Sequence, residues 1–482
     1  MRLGPVDLGP ALEQRLFFAL RDGDADVNGR RLASLLARAT GAMVLGLGRV
    51  VGALLLAFVP RRRPAIPERP FVAIVRQPVH VSLLGPIDAA LRRAGHDRLA
   101  IVRVGLAAAQ SPERPRIERT ERTARLEHVL IASAVAPVVG YQLRIGRRLA
   151  AASGAWRGLV GEPRATTLRH IARRELPLIA LGAAGIASVV DRWRPSILLA
   201  YDELGTWSRI IAAVGRTRGV PTLDLPHAEA VNRIAIAGAD YDRFAVFGPR
   251  ATAALVAAGI DRSRIVETGA PHFDALATRP HRAASAAAAE SAGPRLVLLA
   301  AQYVQGAMTL AGLEACHRAA LAAAAAVAPA EVLVMPHPLQ QQGLIEGIVG
   351  ATPVPACVAV RVEHEAGLHD RIDDAWLLVT GWSNSVFEAA LRGVPALLVD
   401  PFGVSPVRYD EEGLGIGVGE EASAAAAARS LLDPTVRAAA VARASVALTQ
   451  HLGPSDGRAA ERTARLMLAM SGEGPADEPA RD

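Results

Sequence analysis

Two doubly wound (Rossmann-like) α/β domains facing a cleft are predicted by three features of this 482-residue chain. The length exceeds one ordinary domain. Hydrophobic residues make up 51% and aromatics only 4%, so the cores must be aliphatic. From Phe71 onward, short apolar runs alternate with amphipathic helical stretches, the pattern of parallel sheets wound with helices.

The elements follow in order. FVAIV, from Phe71, is a buried strand, followed by a helix ending at Arg92–Gly95 and a strand from Leu99 to Val104. Residues 111–192 hold no clear strand and read as a helical insertion. SILLAY (196–201), PTLDL (221–225), RFAVFG (243–248) and RIVETG (264–269) are strands, with helices over 207–218 and 249–258. After the alanine-rich stretch 283–292 a second series runs RLVLLA, VLVM, CVAVRV, WLLVTG and ALLVD, and helices close it near Met470. The expected division is a helical membrane-associated segment 1–65, an N-terminal domain 66–245 and a C-terminal nucleotide-binding domain 246–471. The polar tail 472–482 is expected to be disordered. Ligands of such sheets bind at the carboxyl ends of the strands.

Charge and composition narrow the function. The net charge is +7, and the sequence contains no lysine, so all 54 basic residues are arginine. A Walker-A lysine, a Schiff-base lysine and a lysine carrier of biotin or lipoate are therefore excluded; phosphate must be held by backbone N–H groups, hydroxyls, His or Arg. No nucleic-acid motif accompanies the charge, so nucleic acid is not an expected partner. Cys316 and Cys357 form no metal or disulfide framework. The apolar stretch 41–60 precedes Arg61, Arg62 and Arg63, and Arg31, Arg38 and Arg49 share one helical face. That stripe suits a helix lying on an anionic membrane surface; a spanning helix and a helix docked on the protein's own core are the alternatives. No cleavable signal is expected.

Four clusters lie at strand ends. Asp202 and Glu203 open a helix, where acidic residues also cap; Asp202 is equally a candidate general base. His227 follows the strand PTLDL, where a histidine either bonds backbone or serves a cleft. His337 stands between Pro336 and Pro338, which hold its backbone out of a helix and suit an imidazole presented to phosphate. Ser383, Asn384 and Ser385 lie where a strand turns into a helix, with Glu388 one turn in. Ser385-x-x-Glu388 is also the pattern of a capping box.

Taken together, RPSILLAYDE…GVPTLDLPHA, FGPRATAALVAAGIDRSRIVETGAPHFDAL, VMPHP, VTGWSNSVFEAALRGVPALLVD and GPSDGRAAERTARLM resemble two related groups. One is the GT-B-fold glycosyltransferases and glycerophosphotransferases of capsule or teichoic polymers; the other is UDP-N-acetylglucosamine 2-epimerase. The likeness spans roughly Arg194 to Met470. It implies a GT-B-like fold in which His337, Ser383, Asn384, Ser385 and Glu388 bind a nucleotide and His227 lies near an acceptor. The epimerases carry a His-Arg pair after the first strand of the second domain, and consecutive glycines where this chain has Ser383-Asn384-Ser385. Here Ala301-Gln302-Tyr303 follows that strand. The transferases usually have glycine at the position of Ala228.

The expected function is transfer of a sugar or polyol phosphate from a nucleotide-activated donor to a lipid- or polymer-linked acceptor in cell-surface polysaccharide synthesis. His227 or Asp202 would act as base. The alternatives are an epimerase-like enzyme, with Asp202 and Glu229 as its carboxylates, and a catalytically silent binding module. No metal and no cofactor is expected. The expected location is the cytoplasm, peripheral on the inner face of the bacterial membrane.

Overall fold

The computed structural model describes residues 2–3, 6–7, 65–75, 78–103, 123–126, 179–201, 206–226, 229, 240–280, 293–304, 308–338, 340–341 and 343–473. In the first domain the elements are β1 Phe71–Val75, α1 Pro78–Arg93, β2 Leu99–Arg103, β3 Thr123–Arg125, β4 Ile197–Tyr201, α2 Thr206–Arg218, β5 Thr222–Leu225, β6 Arg243–Val246, α3 Pro249–Ala257 and β7 Ile265–Glu267. The second series comprises β8 Arg295–Ala300, α4 Leu310–Ala326, β9 Ala330–Met335, α5 Leu344–Ala351, β10 Val358–Val362, β11 Leu377–Thr380, α6 Ser385–Leu391, β12 Ala396–Val399, β13 Ile416–Val418, α7 Glu421–Ser430, α8 Pro434–Leu452 and α9 Ala459–Met470.

Both sheets are wholly parallel. The first runs β3-β2-β1-β4-β5-β6-β7 and the second β10-β9-β8-β11-β12-β13. Each starts in the middle, winds outward one way and then reverses. The reversal places a crevice between β1 and β4 in one domain and between β8 and β11 in the other. The central strands are buried along their whole length, as in β1, β4 and β11, because helices cover both faces of a parallel sheet. Two apolar clusters flank each sheet.

With few aromatics, the second domain packs by close approach of alanine faces. Ala319, Ala320, Ala323 and Ala324 of α4 and Ala424 and Ala428 of α7 are all buried. Alanine favours helix and presents little side chain, so the two helices lie close together. Thr309 caps α4, its hydroxyl accepting from the Gly312 N–H at 3.1 Å.

The expected architecture of two Rossmann-like α/β domains is the one observed, with four differences in detail. The span 111–192 contains a strand, β3, which adds an edge to the first sheet. The first sheet runs past residue 245, since β7 pairs with β6; the boundary therefore falls after β7. The last helix, α9, returns to the first domain, where Ala460, Ala464 and Met467 join the cluster on β1 and α1. Asp274 fastens the start of α9 by accepting from the N–H groups of Ala459 and Ala460 at 3.0 and 2.7 Å. Glu473, within the span expected to be a disordered tail, is ion-paired with Arg98; residues 474–482 lie outside the described residues.

At the other end, Arg2–Leu3 pairs antiparallel with Val6–Asp7, a hairpin where helix was expected. The apolar stretch 41–60 and the Arg31, Arg38 and Arg49 stripe lie outside the described residues. Among the described residues no helix is long and apolar enough to cross a membrane.

Candidate active site

The carboxyl ends of β9, β8 and β11 stand side by side and bring most of the expected nucleotide-side residues together. β11 ends at Thr380, whose hydroxyl donates to the Ala300 carbonyl on β8 at 2.9 Å. The next link is Gln302, whose Oε1 accepts from the Trp382 N–H at 2.9 Å. Gly381 makes that approach possible: a Cβ there would meet Gln302 Oε1 at 2.3 Å. The two strand ends that bound the crevice are thus tied by side chain and backbone.

His337 leaves the end of β9 in a turn, its carbonyl accepting from the Gln340 N–H at 2.8 Å. The Gln340 side chain accepts in turn from the Val304 N–H at 3.2 Å. The His337 ring packs on Tyr303, the centroids 4.6 Å apart. Burial lowers its pKa below the ordinary histidine value, so near pH 7 it is a neutral hydrogen-bonding group. Two strand spacings, roughly 10 Å, separate it from the β11 side.

On that side the capping-box reading of Ser385 and Glu388 is corrected. The residue at the cap position is Asn384, which makes no side-chain cap bond. Ser385 is the first residue of α6, its N–H donating to Ser383 Oγ at 3.2 Å. Glu388 turns away from the cap: its Oε2 lies 3.0 Å from His369 Nε2. Burial pushes the Glu388 carboxyl up, with His369 opposing; the contact raises the pKa of His369 in return. Ser385 Oγ is buried and has no hydrogen-bond partner among the described residues, a hydroxyl able to serve a ligand.

His369 was invisible in the sequence. It sits in the short helix Leu368–Arg371 ahead of β11, flanked by no motif, and only the fold brings it to Glu388. Gln302 and Tyr303, which the sequence marks only as a departure from the His-Arg pair of the epimerases, build the rim. Next to this rim a cavity of about 220 Å³ opens between Trp382, Asp400, Ser405, Tyr409 and Gly417. That is below the ~300–1,000 Å³ of a full ligand pocket, so it suits part of a ligand. Asp400 is occupied there, accepting from the Val404 and Ser405 N–H groups at 2.9 and 3.0 Å.

Asp202 and His227 lie outside the described residues. The strands that precede them, β4 and β5, are adjacent in the first sheet. Glu229 is described and fully buried, in contact with His451 and Arg250. Among the described residues no group of three or more His, Cys, Asp or Glu side chains is placed to hold a metal ion.

No protein-family model and no curated protein matches the chain. Solved structures do. A Listeria monocytogenes protein assigned as UDP-N-acetylglucosamine 2-epimerase superposes with a TM-score of 0.55 at 16% identity, covering 86% of this chain and 100% of that one. The MnaA protein of S. aureus, solved with UDP, gives 0.52 at 14%, covering 85% and 99%. UDP-GlcNAc 2-epimerase from Neisseria meningitidis, bound to UDP-GlcNAc, gives 0.50 at 10%, covering 83% and 99%. At these identities the likeness establishes the fold, which extends over both domains.

Proposed function

We propose that this chain is an enzyme of nucleoside-diphosphate sugars that acts at the bond between the sugar's anomeric carbon and the diphosphate, and that its reaction is 2-epimerisation of a UDP-N-acetylglucosamine-type substrate. The observation that carries the reading is the row of polar groups on neighbouring strand ends: His337 beside Tyr303, then Ser383, Ser385 and Glu388. The fold shared with proteins solved with UDP and UDP-GlcNAc supports it.

Elementary chemistry says what such a site must do. The C2 proton of a glycosyl diphosphate has no neighbouring carbonyl to acidify it. It becomes removable when the C1–O bond breaks, the diphosphate leaving as a base takes the proton and a C1=C2 double bond forms. Return of the proton to the other face, with the diphosphate re-adding at C1, completes the inversion. In this proposal His337, Ser383 and Ser385 donate to the departing diphosphate, Asn384 lines the same turn, and Glu388 accepts from the ribose. Asp202 and His227 are the candidate bases. Glu229 is the less suitable carboxylate, being engaged by His451 at 2.8 Å.

One observation favours a second reading, transfer to a lipid- or polymer-linked acceptor at an anionic membrane surface. The position where the epimerases carry a His-Arg pair is filled by Gln302 and Tyr303, and both are engaged, one with the Trp382 N–H and the other with the His337 ring. Transfer of a sugar requires the same departure of diphosphate but no proton abstraction at C2.

Incubation with UDP-GlcNAc, followed by proton and phosphorus NMR, tests both. Appearance of the C2-epimeric UDP-sugar without any acceptor is the expected outcome. UDP released only when an acceptor is added would move the assignment to transfer. An unchanged substrate under both conditions would contradict catalysis on this donor.

A further inference from the structure

A second cluster of titratable groups, with a buried Glu229–His451 pair at its centre, lies where the two domains meet. His451, at the end of α8, has one ring nitrogen, Nδ1, 2.8 Å from both carboxylate oxygens of Glu229. Its other nitrogen, Nε2, is 3.0 Å from Glu412 Oε2. Glu229 follows β5 of the first domain, whereas Glu412 lies between β12 and β13 of the second. Arg250, in the first turn of α3, reaches Glu412 at 2.8 Å and Glu229 at 3.5 Å. The side chains of Glu229 and His451 are 0% and 2% exposed, so water does not shield them.

The geometry favours a charged ring. A neutral imidazole has one N–H and one acceptor nitrogen. Here both nitrogens face carboxyl groups, and an ionised carboxylate only accepts, so both nitrogens donate while Glu229 and Glu412 are charged; burial pushes the Glu229 carboxyl up, with His451 and Arg250 opposing. Two carboxylates, one guanidinium and one imidazolium also sum to zero, whereas a neutral His451 leaves a net negative charge on a cluster whose inner pair, Glu229 and His451, is buried while Arg250 and Glu412 reach solvent. The phenol of Tyr409, pushed far up by burial, stays neutral and adds no charge.

The ring also touches the nucleotide side. It packs on Phe387 of α6 at 5.3 Å and on Tyr409 at 5.6 Å, and the Tyr409 hydroxyl donates to Asn384 Oδ1 at 3.4 Å. The backbones approach equally closely: a Cβ on Gly248, which precedes α3, would meet the His451 carbonyl oxygen at 2.7 Å.

We propose that His451, as an imidazolium shared by Glu229 and Glu412, is the positioning residue that joins the first domain to the first turn of α6. This goes beyond the reaction proposed above and does not depend on which reaction the cleft performs. Burial alone would lower the pKa of His451, but the two carboxylates outweigh it and the pKa is raised. A raised value means that the stabilisation is complete below about pH 6.5, the ordinary histidine value, and is lost as pH climbs through the folded-state value. Burial would raise the pKa of Glu412, but His451 and Arg250 hold it below the ordinary value. Its share is therefore lost only in acid.

Thermal melts between pH 5.5 and 9, paired with hydrogen exchange of the α6 amides, test the proposal on three proteins: wild type, His451→Gln, and His451→Gln with Glu412→Gln. Wild type should lose melting temperature as the pH rises through the folded-state value of His451. His451→Gln should melt lower at pH 6, show a smaller pH dependence, keeping only the part that His369 contributes, and exchange its α6 amides faster. The double variant has one carboxylate opposite one guanidinium, and should recover much of both losses because it restores the charge balance and not the ring. A double variant no better than the single one would show that His451 matters only as packing. Unchanged α6 exchange in His451→Gln would overturn the link to the nucleotide side.

Discussion

Glu388 shows how far a residue pattern can be read without coordinates. Ser385-x-x-Glu388 has the spacing of a capping box, and the pattern alone does not reveal where the helix starts. The helix starts one residue earlier than a capping box would need, with Asn384 at the cap, so Ser385 is inside the helix and Glu388 is released to meet His369. The placement of functional types at a strand end was legible; the partner of Glu388 was not, because His369 arrives from a different loop. The pair makes a prediction. His369 should titrate above the ordinary histidine value, since its contact with Glu388 favours the charged form over the opposing effect of burial. NMR titration of the imidazole in wild type and in Glu388→Gln should show a downward shift in the variant. The pair's contribution is present below about pH 6.5 and fades as pH rises through the folded-state value. An identical titration in both proteins would mean that the contact carries no charge interaction.

Elements were legible where they are apolar and long enough to show a period. The runs at β1, β4 and β11 are buried throughout, and β8 is buried at its centre, so they announce themselves. β3 did not: Thr-Ala-Arg is three residues long with a charged end, and an edge strand needs no apolar run. Close approaches between elements are likewise silent in sequence. Gly248 and Gly381 both lie where a Cβ would collide, but they differ in what it would hit. At Gly381 the nearest atom is the end of the Gln302 side chain, which can swing aside. At Gly248 the nearest atoms are the Gly453 amide nitrogen and the His451 carbonyl oxygen, both at 2.7 Å. Gly248→Ala should therefore destabilise by roughly 2–4 kcal/mol, at or above the usual overpacking cost. Gly381→Ala should cost about 1 kcal/mol, close to the loss of the Gln302 bond to Trp382. Urea unfolding of both variants would check the order; equal losses would mean that the domain junction yields as easily as a side chain.

At the scale of the whole molecule, the two sheets share the same winding order, and the chain crosses between their domains twice. The first crossing follows β7 and the second precedes α9. Asp274 accepts from the start of α9, and Arg462 donates to the Thr268 carbonyl at 2.8 Å and pairs with Asp456 at 2.9 Å. The alternation of strands and helices foretold two domains, but an amphipathic helix does not say which sheet it will cover, so the return of α9 had no signature. Double winding puts the crevice of the second domain between β8 and β11, where we propose that a nucleoside diphosphate binds. Calorimetric titration of UDP into wild type and Glu388→Gln tests it most directly. Glutamine keeps the shape and can still accept from His369, but a ribose hydroxyl bonds more strongly to a carboxylate, by roughly 1.5–3 kcal/mol against about 1 for neutral partners. UDP should bind wild type and bind the variant about tenfold more weakly, a difference of about 1.4 kcal/mol, with melting curves within a few degrees of each other. Failure of wild type to bind UDP, or equal affinity in the two proteins, would contradict the assignment.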